Sequence, residues 1–161
     1  MGLNPTPFSA TCKTDNKLLK MTETKSVNNW LEESLENLEN DFWVEPHHPS
    51  HLVTTCHQLR QKPLKNFEIE DLRIMIGQSI GLAFLVPLAL KKLRNNILAS
   101  GDFYEGDLLS SILRSDHKFW IKESNHFKEL EELIQSNLKV VSDVEPTLLE
   151  EFNELKKKMG K

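Results

Sequence analysis

No stretch of this chain is apolar for long enough to cross a bilayer. The longest apolar run, Ile80 to Leu90, is interrupted by Gly81 and Pro87, and a spanning helix needs about 20 such residues. Glycine is scarce, with six residues in 161. None falls in a phosphate loop, a dinucleotide-binding turn or a nucleophile elbow, so a protein without catalysis is expected. Cysteine is limited to Cys12 and Cys56. Two cysteines make no disulfide scaffold, and both are expected as free thiols in a reducing compartment, which points to the cytoplasm. The N-terminus lacks an apolar core ahead of a cleavage site, so no secretory leader is expected. Met1, Gly2 and Thr6 meet only the short myristoylation pattern. Lysine and arginine are missing from Ser26 to Gln58. With 20 Lys and Arg against 24 Asp and Glu, the net charge is −4, which disfavours nucleic acid and suits a basic protein partner.

What is present is helical spacing. A hydrophobic share of 39% and a charged share of 27% fit a globular composition, and the length suits one domain. Residues 1–25, with Pro5 and Pro7 and no burial period, read as a flexible arm. Trimming that arm to Met21 is expected to leave thermal stability nearly unchanged. Residues 26–161 read as a helical domain. Ser26 is expected to cap a helix that turns Leu31, Leu35, Leu38 and Phe42 inward. Ser50 caps a second helix, to about Gln61, ended by Pro63. A third starts near Glu68, carries Leu72, Met75, Ile76 and Ile80, and stops at Gly81. The fourth has Pro87 in its first turn and is apolar on all faces from Leu82 to Leu90, so it is expected at the centre of the core. Asp107 caps a fifth, and Phe119 with Trp120 docks a short segment. Phe127 to Leu138 and Leu149 to Met159 supply two more stripes. No alternating strand pattern or fixed-period repeat occurs. The expected fold is an all-α, compact single-domain bundle of about six or seven helices.

Few residue groups suggest chemistry. His47, His48, His51, Cys56 and His57 are zinc-type ligands, but their spacing fits no zinc signature, so neither metal nor cofactor is expected. Cys56 and His57 are adjacent, and neighbours on a helix point about 100° apart, which is wrong for a nucleophile and its base. The helix–Gly81–helix unit has helix-turn-helix spacing, yet its second helix opens on Ala83, Phe84, Leu85 and Val86, a core sequence. Two acidic groups remain. Glu32, Glu33, Glu36, Glu39, Asp41 and Glu45 form one, read either as a solvated helix face or as a lure for a basic partner. Asp102 and Glu105, with Phe103 and Tyr104, form the other, read as a capped turn or as a second contact.

Several stretches carry a resemblance to a known family. They are SHLVTTCHQLR (50–60), KPL (62–64), EDLR (70–73), IGQSIGL (76–82), LVPLAL (85–90), GDFYEGDLL (101–109) and Phe119-Trp120. In order and spacing they resemble the contact-dependent growth inhibition (CDI) immunity proteins of bacteria. This chain has Glu68 where a Ser or Thr cap is expected and Glu105 where a proline is. The resemblance implies a cytoplasmic protein that binds the toxic C-terminal domain of a neighbouring cell's effector, often a nuclease. It implies no nucleic-acid or membrane partner, and it leaves the oligomeric state open. The shared stretches are mostly apolar residues, glycines and prolines, so they read as fold determinants, with toxin contacts expected on the acids named above. The alternatives are a helical adaptor domain unrelated to toxins and a helix-turn-helix regulator.

Overall fold

The computed structural model describes residues 30–160. The expected arm and the Ser26 cap lie outside these residues, as does Cys12. Among the described residues there are nine α-helices and no strand. They are α1 (Leu35–Glu39), α2 (His51–Gln61), α3 (Ile69–Gly77), α4 (Leu82–Asn95), α5 (Asp107–Leu113), α6 (His117–Lys122), α7 (Ser124–Ser136), α8 (Leu138–Val144) and α9 (Thr147–Met159). Short 3-10 turns span Trp30–Glu32 and Leu64–Asn66. The all-α expectation holds, and the helix count exceeds it.

Two local breaks depart from the expected helices: the first shortens one, and the second splits one in two. The stretch read as one helix to Phe42 is a 3-10 turn followed by the five-residue α1. Asn40 ends α1 in the left-handed region at φ 50°, a conformation asparagine tolerates better than most residues. Phe42 is therefore not a core residue; it is 61% exposed on the segment beyond. Further along, Asn137 separates α7 from α8. Its side-chain N–H bonds back to the Leu133 carbonyl at 2.9 Å, competing with helix continuation.

Gly81 also has a different role from the expected one. Helix α3 ends at Gly77, and Gly81 is the residue that opens α4, at φ 64°. A Cβ there would lie 2.8 Å from Leu35 Cδ1. Glycine thus satisfies both the left-handed turn and the close approach of α1.

Helix α4 is central, as expected. It packs on α3, α5 and α7 and buries Leu82, Leu85, Val86, Ala89, Leu90 and Leu93. Leu88 is half-buried rather than enclosed. Helices α3 and α5 lie against each other, and α9 closes over α5 and α6. Trp120 is fully buried. Its indole N–H donates to Ser115 Oγ at 3.0 Å, and that hydroxyl donates to the Ile112 carbonyl at 2.6 Å, so both polar groups are satisfied.

Candidate partner-binding surface

The first acidic stretch is divided by a residue the charge pattern did not reveal. Arg60, near the end of α2, is 2% exposed. Its guanidinium donates to Glu39 Oε2 at 2.5 Å and to the Asp41 carbonyl at 2.6 Å, and it lies 3.4 Å from Asp41 Oδ2. The Trp43 ring stacks on it at 4.4 Å, and the Trp43 indole N–H donates to Asp41 Oδ2 at 3.0 Å. Glu32 is engaged as well, by Lys65. Three of the six acids thus meet bases from outside the stretch, which the local run of like charge could not show. Glu39 and Asp41 hold the chain in place before they can serve a partner.

Glu33, Glu36 and Glu45 make no ion pair among the described residues; the Glu33 carboxylate accepts only from Asn37 Nδ2 at 2.9 Å. Near them in sequence stand Phe42 and Val44, 61% and 88% exposed. Arg60 pins the segment that carries these two apolar side chains, so they are presented on a fixed backbone.

The second acidic group lies on a loop built from the resemblance stretches. Asp107 is 3% exposed. It begins α5, but its carboxylate serves the preceding loop: Oδ1 accepts the Gly101 N–H at 2.7 Å and Oδ2 the Phe103 N–H at 3.1 Å. Glu70, on α3, accepts the Asp102 N–H at 2.9 Å. It also takes a forked pair of bonds from Arg73, at 2.7 and 2.6 Å. Arg73 in turn stacks on the Phe103 ring at 4.3 Å. The hydrogen bonds from Arg73 hold the Glu70 carboxyl below its ordinary range, with burial opposing, and Glu70 raises Arg73 in return. Asp102 and Glu105 remain exposed at the loop surface, beside Phe103 and Tyr104.

The other groups weighed from sequence are dispersed. His47, His48 and His51 are exposed, whereas Cys56 is buried and its thiol is pushed up by that burial. Among the described residues, no three His, Cys, Asp or Glu side chains are grouped to hold a metal ion, and no helix is long and apolar enough to cross a membrane. The first turn of α4 buries Leu82, Leu85 and Val86, so it has no polar face to enter a DNA groove.

Neither the curated proteins nor the solved structures include a match to this chain. The protein families do: residues 37–130 match the CDI immunity proteins. That span contains the Arg60 clamp, the Glu70–Arg73–Asp107 loop and the central helix, and it covers more than half of the chain. The chain belongs to the CDI immunity proteins.

Proposed function

We propose that this chain binds and neutralises the C-terminal toxin domain of a CDI effector, a nuclease, in the cytoplasm, and does so without catalysis of its own. Family membership carries the reading. Its physical support is that Glu33, Glu36 and Glu45 make no ion pair among the described residues and that the exposed Phe42 and Val44 stand near them in sequence. Nuclease sites are basic because they hold phosphates. An apolar anchor with an acidic rim suits such a surface, since the anchor supplies affinity and the charges supply steering.

The test is co-expression with the C-terminal domain of the effector encoded beside this chain. Growth should be rescued when this chain is present, and the two purified proteins should co-elute as a complex. Equal killing with and without this chain would overturn the reading.

A further inference from the structure

A polar groove of about 450 Å³ runs between α3, α5 and the 101–106 loop, and neither the core nor the acidic surface accounts for it. Its walls include Arg73, Gln78, Tyr104, Ser110 and Arg114. The Arg114 guanidinium has no ion pair or hydrogen bond among the described residues, whereas Arg73 is held by Glu70. Ser110 is 3% exposed, yet its hydroxyl has no partner among the described residues. The neighbouring Ser111 shows the usual alternative, donating to the carbonyl four residues back, Asp107 O, at 2.9 Å. Ser110 Oγ still touches solvent in the groove, so a ligand seated there would replace water on it. Asp107 also lines the groove, but both its oxygens already accept backbone N–H groups. Ser110, Gln78 and Tyr104 can donate or accept, whereas Arg114 can only donate, so the charged capacity left in this wall is that of a donor.

The rim carries a second, independent signal. Phe103 and Tyr104 are 70% and 47% exposed. Three backbone N–H bonds to buried or half-buried carboxylates fix the loop that presents them. Phe103 stacks on Arg73, yet most of both rings stays exposed, and side chains on a rigid loop lose little entropy when a partner packs on them.

We propose that the groove receives an Asp or Glu side chain from an exposed loop of the toxin domain, with Arg114 and Ser110 as its donors and Phe103 and Tyr104 packing against that loop. This rests on the immunity reading and adds to it a contact of opposite polarity to the acidic surface. A partner must then offer a basic patch and an acidic side chain at once, which rejects toxins that offer only one.

The experiment measures binding of the purified toxin domain to the full chain. The variants are Arg114→Glu, the double change Phe103→Ala with Tyr104→Ala, and Gly77→Leu. Gly77 lines the groove, and a Cβ there meets only Ser111, with Oγ at 3.8 Å and Cβ at 4.0 Å, so the backbone has room for a side chain and Gly77→Leu should obstruct the groove. Circular dichroism controls for folding. Each folded variant should bind at least tenfold more weakly. Among Asp→Lys and Glu→Lys changes scanned over the toxin, one should restore binding to Arg114→Glu. Folded variants that bind within twofold of a binding wild type would overturn the inference and leave the immunity reading standing. Failure of every toxin change to restore binding, with competition by inorganic phosphate instead, would overturn the carboxylate occupant. A wild type that neither binds nor protects would overturn the functional reading, and the inference with it.

Discussion

A Cβ on Gly101 would lie 2.1 Å from Glu70 Oε2 and 3.2 Å from the Glu70 Cα. The loop can reach α3 only because that atom is missing. Glu70 in turn needs the approach, since it accepts the Asp102 N–H as well as the Arg73 fork. Gly101→Ala and Glu70→Gln should therefore each cost about 1–3 kcal/mol. The double variant should cost clearly less than their sum, because both break one network. Urea unfolding of the four proteins checks this. Acid should report on the same carboxylate. The Glu70 pKa is lower in the folded chain than in the unfolded one, so its contribution is present above the unfolded value of about 4.3 and is lost as pH falls through the folded value. Glu70→Gln should thus be less stable than wild type at pH 7, and the gap should narrow at pH 3. A gap that stayed constant would show that ionisation of Glu70 contributes nothing to the difference.

At the scale of elements, α4 separates enclosed from edge positions. Leu85 is fully buried, whereas Leu88 is half-buried. Leu85→Ala should cost about 2–5 kcal/mol and Leu88→Ala about 1. Equal shifts in thermal unfolding would mean that α4 is rotated from its described face. The position of α4 was legible because Leu82 to Leu90 is apolar all round and needs no partner to be recognised as core. The end of α1 was less legible, because Leu31, Leu35, Leu38 and Phe42 keep the helical period past the point where Asn40 turns the chain. The Asn40-Asp41 pair was the available signal. Arg60 was not legible at all as a clamp, since the acids it holds lie 19 to 21 residues before it and only the packing of α1 beside α2 brings them together. The same limit applies to Asp107. Its place at the start of α5 was evident, but the two loop amides it accepts were not. Arg60→Ala should cost about 2–4 kcal/mol. It should also release Trp43 from its stacked place, read as a shift in tryptophan emission. An unshifted emission would show that the segment is held by something other than Arg60.

On the scale of the whole molecule, the net charge of −4 is unevenly spent. Glu32, Glu39 and Asp41 are paired with Lys65 and Arg60, so reversing them would test the fold as much as the function. Glu33, Glu36 and Glu45 make no such pair among the described residues, so the proposed steering of a basic toxin domain would rely on them. Exposed charges act over about 10 Å at 0.1 M salt, and steering of this kind raises association rates by about 10- to 1,000-fold. The triple change of Glu33, Glu36 and Glu45 to lysine should leave the helical spectrum intact and slow association about tenfold or more at low salt. Dissociation should change less if, as proposed, Phe42 and Val44 anchor the contact. The two association rates should converge as salt rises, since screening removes from the wild type what the substitutions remove from the variant. A folded triple variant that associates as fast as wild type at every salt concentration would reduce this surface to solvated helix and loop, and would leave the groove at Arg114 as the place to look for the toxin.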